Sequence, residues 1–95
     1  MDIKRALRNV QETGQISLGI KETMKALKKN KVKLVIVSKN CPEANIAKVK
    51  DHKVPIYTYT GSNAELGAAC GKPFSVSAIA IIDGGKSDIL ALKGE

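Results

Sequence analysis

The segment at residues 18–25, LGIKETMK, combines residue types that can hold an anion and contact an exposed base. Gly19 stands where a helix is expected to begin, and its lack of a side chain permits close approach to the backbone. The first amides of a helix have no internal partner and lie at the positive end of its dipole, which favours a phosphate. Lys21 and Lys25 are four residues apart and can reach one phosphate backbone, while Glu22 can accept hydrogen bonds from base amino groups. The spacing predicts a nucleic-acid contact, although an ordinary lysine-rich, solvated helix has the same pattern.

A second feature is the loop at residues 71–76, GKPFSV, which contains Phe74, the only phenylalanine of the chain. The other two aromatic residues are tyrosines, and there is no tryptophan. An exposed ring in a loop can stack on an unpaired base, which is how proteins usually recognise non-helical RNA. The alternative is that the ring folds back over the core, and the sequence leaves both open.

Residues suited to catalysis or metal binding are few. His52 is the only histidine and lies between two charged residues, where a solvated helix end is expected. Cys41 and Cys70 lack the CxxC spacing of redox and zinc sites, so we interpret both as free thiols. The sequence also lacks a nucleophile elbow, a phosphate-binding Walker loop, an H-E-x-x-H zinc motif and a dinucleotide fingerprint. We therefore expect no enzyme, no cofactor and no metal site.

Helical periodicity predicts the elements that position these residues. Apolar residues at helical spacing and end signals predict four helices, over residues 2–12, 19–29, 42–51 and 62–70. Asp2 is expected to cap the first helix, and Ser62 with Glu65 forms the spacing of a capping box at the fourth. The third has only a thin apolar stripe, made of Ala44, Ile46 and Ala47.

Apolar, β-branched runs predict strands at residues 32–37, 54–59, 76–82 and 89–92. The first run hardly alternates, as expected of a central strand covered on both faces. Helices that alternate with strands favour a three-layer α/β/α sandwich with a mixed, largely parallel sheet of about four strands. The length of 95 residues suits a single domain over residues 1–95.

The charge of the chain suits a partner with dense negative charge. Sixteen Lys and Arg residues against nine Asp and Glu residues give a formal net charge of +7. Residues 1–33 carry nine basic and three acidic groups, a net of +6, whereas residues 34–95 carry seven and six. No segment approaches the roughly 18 apolar residues of a membrane span, and the first residues lack the apolar core of a signal peptide. We expect a cytoplasmic protein without membrane contact, monomeric when free.

The order of the elements and five segments together resemble a known family. The segments are GIKE at 19–22, VSKNCP at 37–42, NAELG at 63–67, GKPF at 71–74 and DGGKSDIL at 83–90. They are similar to the archaeal and eukaryotic large-subunit ribosomal protein family "L thirty e", within the wider "L seven Ae" group of kink-turn RNA binders. Lys21, in place of the asparagine common in the wider group, is closer to the ribosomal branch than to the guide-RNA branch.

The resemblance implies a three-layer α/β/α fold and binding of a kink-turn, a sharply bent RNA internal loop built on tandem sheared G·A pairs. Gly19 would let the second helix approach the RNA and Lys25 would lie over a phosphate. The residues expected to face the guanines of the sheared pairs are Lys21, Glu22 and Asn40. The residues that match the recognition loop, which packs against the extruded nucleotide, are Lys72, Pro73, Phe74 and Val76. We also assign Lys28, on the same basic helix face, to the RNA-binding set.

The chain departs from the family between Asn40 and Pro55, where it is shorter than expected by about one helical turn. Contacts from the third helix therefore do not carry over, and we assign none to Lys48 or Lys50. The sequence predicts a structural constituent of the large ribosomal subunit that binds ribosomal RNA. A kink-turn module of a guide-RNA or RNA-processing particle and, more distantly, a small α/β enzyme or metabolite binder stay open as alternatives.

Overall fold

The computed structural model of the protein describes residues 3–29 and 32–85. Along the chain the elements are α1 (Ile3–Thr13), β1 (Gln15–Leu18), α2 (Ile20–Lys28), β2 (Leu34–Val37), α3 (Glu43–Lys50), β3 (Ile56–Thr58), α4 (Asn63–Ala69) and β4 (Ala78–Asp83). The four predicted helices and three of the four predicted strands are present, with ends one or two residues from the expected bounds. The proposed cap Asp2 and the strand at 89–92 lie outside the described residues. Within the described ranges, no helix has the length and apolar character needed to cross a membrane.

The sheet has four strands in the order β1-β4-β2-β3. The predicted mixed sheet and the central place of β2 are confirmed. The expectation of a largely parallel sheet is wrong, because β4 pairs antiparallel with both β1 and β2 and only β2 and β3 are parallel. Val37 is paired with Thr58, where β3 ends, and with Ala78, where β4 begins. The chain thus enters β4 at the same edge at which it left β3, so β4 runs against the other strands.

Both faces of the sheet are covered, which confirms the three layers. In β2, Leu34 and Ile36 pack in one cluster with residues of α1 and α4. Val35 and Val37 pack in a second cluster with residues of α2 and α3. All four are at most 1% exposed. Side chains of a strand alternate between faces, so a strand between two helical layers is apolar at every position.

Strand β1 lies between the first two predicted helices, in a segment for which the sequence predicted no strand. Its residues Gln15 and Ser17 are polar, whereas Ile16 and Leu18 are apolar and pack against the α1 and α4 cluster. This alternation over four residues is the signature of a strand with one buried face, but it is short and follows directly on a helix. The strand brings the chain to the start of α2.

The inner face of α3 also differs from the prediction. Val49 is fully buried and Ile46 is partly buried, whereas Ala44 and Ala47 are exposed. The helix turns its larger apolar side chains inward because they remove more apolar surface from water than alanine does. At α4 the Ser62 hydroxyl accepts from the Glu65 amide at 3.3 Å. The return bond of a full capping box is absent between these two residues, because the Glu65 carboxylate accepts instead from the Ser62 hydroxyl at 3.4 Å.

Thr23 lies on the buried side of α2 and provides a test of the packing between this helix and the sheet. Its side chain is fully buried, and its hydroxyl has no hydrogen-bond partner among the described residues. An unsatisfied buried polar group costs about 1–3 kcal/mol. Thr23→Val should therefore raise the free energy of unfolding by about 0.5–2 kcal/mol, as measured by urea denaturation.

The matched control is Thr13→Val, because the Thr13 hydroxyl donates to the carbonyl of Asn9 at 2.7 Å on an exposed helix face. This change should give no gain in stability. Destabilisation by Thr23→Val would contradict an unpaired hydroxyl at this position.

Candidate nucleic-acid interface

Several segments expected to carry the site meet at one edge of the sheet. Leu18 at the end of β1 is paired with Ile79, and Val37 at the end of β2 is paired with Ala78 and Thr58. We call the edge formed by these five residues the Val37 edge. Here the chain passes from β1 into α2, leaves β2 toward α3, leaves β3 toward α4 and enters β4. Four connections therefore project from the same side of the molecule.

Backbone hydrogen bonds join these connections directly. They cross from the start of α2, the end of β2 and the start of α4 to the segment that leads into β4. The Gly19 amide donates to the Ala78 carbonyl at 2.8 Å, and the Ser38 amide donates to the Ser77 carbonyl at 2.9 Å. The Val76 amide donates to the Asn63 carbonyl at 2.9 Å. The positions of the three segments are consequently fixed relative to one another by the backbone rather than by long side chains.

Asn40 occupies the centre of this arrangement. Its side-chain oxygen accepts hydrogen bonds from the backbone amide of Asn63 at 2.9 Å and from the Ser38 hydroxyl at 3.2 Å. Its side-chain nitrogen donates to the Asn63 side-chain oxygen at 3.3 Å. The first amides of a helix lack internal partners, so Asn40 satisfies one of those at the start of α4. Asn63 was not among the predicted site residues, since nothing in the sequence signals a contact with a residue 23 positions away.

The start of α2 is open to a ligand. Gly19 has φ of 91°, a conformation that favours glycine, and a Cβ placed there would meet nothing within 4 Å. Within residues 3–29 and 32–85, no side chain forms a capping hydrogen bond at the start of this helix. Lys21, Glu22 and Lys25 are exposed, and Glu22 and Lys25 form an ion pair at 3.5 Å. An exposed pair of this kind is worth little, so it can open for a phosphate or a base.

The loop before β4 presents Phe74 outward. This side chain is 55% exposed and is the single exposed large hydrophobic residue in the part of the chain that the structure describes. The backbone beneath it is held tightly, because a Cβ on Gly67 of α4 would overlap the Phe74 carbonyl oxygen. Pro73 is also exposed and Lys72 is partly buried. Of the two alternatives for the ring, the structure has the exposed one.

Two of the predicted RNA-binding residues lie elsewhere. Val76 is 1% exposed and packs in the cluster of α1 and α4, unlike the partly or fully exposed Lys72, Pro73 and Phe74 of the same predicted loop contact. Lys28 is exposed near the end of α2, about 13 Å along the helix from Gly19. It lies on a groove between α2 and α3 rather than at the Val37 edge.

The remaining groups with reactive chemistry are not poised for it. Burial raises the pKa of the Cys41 thiol, and it raises the pKa of Cys70 to about 11, although the charge of Lys72 opposes this shift. Both cysteines are free and buried, and both stay protonated near neutral pH. His52 follows the end of α3, away from the Val37 edge. Over residues 3–29 and 32–85, no three His, Cys, Asp or Glu residues form a group that could hold a metal ion.

Comparison with known proteins gives one family. Residues 1–91 match the profile of the "Ribosomal protein L7Ae/L30e/S12e/Gadd45 family". Three curated relatives share the name "Large ribosomal subunit protein eL30". The chain is 46% identical to the one from Archaeoglobus fulgidus over 86% of this chain and 95% of the relative. It is 48% identical to that of Methanospirillum hungatei over 97% and 98%, and 42% identical to that of Methanothermobacter thermautotrophicus over 99% and 100%.

The bond between Asn40 and Asn63 gives a test of how the site is held. Asn40→Ala leaves the Asn63 amide without its acceptor, and loss of a comparable helix cap costs about 0.5–2 kcal/mol. The free energy of unfolding should fall by about 1 kcal/mol in urea denaturation. Asn40→Asp keeps the acceptor oxygen and should retain more of the stability than Asn40→Ala.

The control is Lys39→Ala, because Lys39 is the exposed neighbour and its backbone bond to Gly61 is unaffected by the change. Its effect should stay within about 0.5 kcal/mol. Equal stabilities for the two alanine variants would show that Asn40 does not anchor α4.

Proposed function

The chain belongs to the ribosomal protein L7Ae/L30e/S12e/Gadd45 family, and we propose that it is a structural constituent of the large ribosomal subunit that binds a kink-turn in ribosomal RNA. Support for the ribosomal assignment comes from the names of the three relatives, which align with the chain over most of their length. Those names favour the ribosome over a guide-RNA particle. The proposed role places the protein on cytoplasmic ribosomes and requires no catalysis and no cofactor.

The observation that carries the RNA-binding proposal is the shared position of the start of α2, Asn40 and the Phe74 loop at the Val37 edge. A bent RNA loop offers phosphates, base edges and an unstacked base within a short distance of one another. A protein surface that recognises it needs cations, acceptors and an exposed ring at the same short spacing. Lys21 and Lys25, Glu22, and Phe74 supply these three kinds of group.

Affinity and selectivity have separate sources in this proposal. Lys21 and Lys25, together with the uncapped amides at the start of α2, contact phosphates, and such contacts supply most of the affinity. Glu22 accepts hydrogen bonds from the guanine amino groups of the sheared pairs, and Lys21 also faces these bases. One hydrogen of the Asn40 amide is engaged with Asn63 and the other is available for a base edge.

Phe74 packs against the nucleotide extruded at the bend, with Pro73 and Lys72 beside it. Stacking of a base on an aromatic ring contributes about 1–3 kcal/mol. The ring is held outward by a loop whose backbone packs on Gly67. Little conformational freedom is therefore lost when the base stacks on the ring. The Val76 side chain supports this loop from within the core.

Titration of the protein with a kink-turn RNA, followed by fluorescence anisotropy, tests the proposal. The comparison RNA has its tandem G·A pairs replaced by G·C pairs, which removes the bend and the exposed guanine edges. Affinity for the kink-turn should exceed that for the comparison RNA by at least about tenfold, which corresponds to 1.4 kcal/mol. Equal affinity for the two RNAs would contradict kink-turn recognition.

The same titration with ring variants checks the part assigned to Phe74. Phe74→Ala should weaken binding by about 5-fold to 150-fold, which is the cost of one lost stacking contact. Phe74→Tyr retains the ring and should bind like the wild type. Because the side chain is more than half exposed, the melting temperature of both variants should match that of the wild type, which separates binding from folding.

A further inference from the structure

A second surface on the molecule has features that the contacts at the Val37 edge leave unused. It is an open groove of about 290 Å³ between α2 and α3. Its floor contains Ile20 and Met24, and lysines from both helices surround it, namely Lys21, Lys25, Lys28 and Lys48. All four lysines are exposed. The sequence offered no reason to assign Lys48 a role, since the short third helix departs from the family at this point.

The packing of the two helices explains why the groove exists. Leu27 of α2 and Val49 of α3 are buried in the same cluster, with Ile46 and Met24 partly buried against it. These contacts hold the helices together on the side nearest the sheet. On the outer side, α3 lines the groove with the polar residues Asn45 and Lys48. The outer faces of the helices therefore do not meet, and a channel remains between them.

The charge around the groove selects an anionic occupant. Among the residues that the structure describes, no acidic side chain lines it, and the polar lining besides the lysines is the neutral amide of Asn45. Glu22 pairs with Lys25 at 3.5 Å, but both side chains are more than half exposed, so this pair is weak. Four lysines around a partly apolar floor suit a ligand with regularly spaced negative charges and apolar parts between them. The sugar–phosphate backbone of a nucleic acid strand has this composition.

The size and position of the groove favour a strand over a small ligand. Its volume lies at the lower limit of the roughly 300–1,000 Å³ of pockets that enclose small molecules. From Lys21 to Lys28 the helix rises about 10 Å, which is long enough to follow more than one phosphate. Lys21 and Lys25 belong both to the start of α2 and to the groove. An RNA bound at the Val37 edge can therefore continue into it.

We propose that the groove between α2 and α3 is a second RNA subsite, which binds the sugar–phosphate backbone of the helical arm that leaves the bend along α2. Lys48 and Lys28 contact phosphates from opposite walls, and Ile20 and Met24 face the sugars between them. The inference rests on the proposed function, because it extends the same RNA beyond the contacts at the Val37 edge. It gives the misplaced Lys28 a role and adds Lys48 to the interface.

The experiment compares Lys48→Ala with Lys50→Ala. Both residues are exposed lysines of α3, but only Lys48 lines the groove, so the two variants have equal net charge and differ in position. Binding is measured by anisotropy at several salt concentrations with a kink-turn RNA that has two long arms. Versions with one arm or the other shortened to a few base pairs identify the arm involved.

The slope of log K against the logarithm of the salt concentration measures the number of phosphate contacts. For the RNA with two long arms, Lys48→Ala should reduce the magnitude of this slope by about 0.7–0.9, the value for one phosphate contact. Lys50→Ala should leave it at the wild-type value. Shortening one of the two arms should abolish the effect of Lys48→Ala, and shortening the other should preserve it. Lys48→Arg keeps the charge and should restore most of the salt dependence.

Equal effects of the two alanine variants would overturn the proposal, because they would reduce the role of Lys48 to net charge. An effect of Lys48→Ala that persists both when the first arm is shortened and when the second is shortened would overturn it as well. Failure of the kink-turn assignment is seen separately, in the wild-type protein, as a lost preference for G·A over G·C pairs. The two proposals can therefore fail independently in the same set of titrations.

Discussion

The antiparallel insertion of β4 between β1 and β2 is the constraint on which the rest of the molecule depends. It places the end of β1, the end of β2 and the start of β4 side by side, as the pairing of Leu18 with Ile79 and of Val37 with Ala78 shows. Loops that follow strands in a parallel sheet also gather at one edge, but the loop that precedes a strand lies at the opposite one. Here the segment before β4 carries Phe74, and the reversal of β4 brings it to the start of α2.

The core is arranged to hold this edge rigid with little material. Ala78 of β4 faces the α2 side, and its carbonyl oxygen accepts a hydrogen bond from the Gly19 amide at 2.8 Å. Helix α2 therefore begins very close to the sheet. On the other face, Val76 is buried while Phe74, two residues earlier, points to solvent. Gly67 permits α4 to lie directly against the Phe74 carbonyl. Small residues and backbone bonds thus fix the positions from which the lysines, the glutamate and the ring project.

The sequence predicted the parts of this arrangement that have a local signal. Periodic apolar residues predict α1 and α2, the capping-box spacing of Ser62 and Glu65 predicts α4, and the unbroken apolar run of β2 identifies the covered central strand. Strand β1 was missed because four alternating residues next to a helix give too weak a pattern. The direction of β4 depends on where the loop after α4 returns to the sheet, which no local pattern encodes. The inner face of α3 was misplaced because the predicted stripe ran through alanines at helical spacing, whereas the helix buries Val49 and part of Ile46, which remove more apolar surface from water.

The candidate site could be proposed from the sequence where one segment carries both chemistry and position, as at Gly19, Lys21, Glu22 and Lys25. Asn63 and Lys48 gave no such signal, because their significance comes from neighbours far away in the chain: Asn40 across the Val37 edge and α2 across the groove. Val76 shows the reverse case. It belongs to the segment that matches the recognition loop of the family, yet its side chain packs in the core cluster of α1 and α4.

The central claim, that the segments gathered at the Val37 edge form one RNA-binding surface, is tested most directly by NMR. Backbone amide shifts of the isotope-labelled protein would be recorded during addition of a kink-turn RNA. We expect one set of amides to shift together at the same RNA concentration, namely those of Gly19, Lys21, Asn40, Asn63 and Phe74. The amides of Gln15 and Lys53, which lie away from this edge, should stay in place. Shifts confined to one of the four segments that hold the first set of amides, or centred on residues away from the Val37 edge, would contradict a single RNA-binding surface.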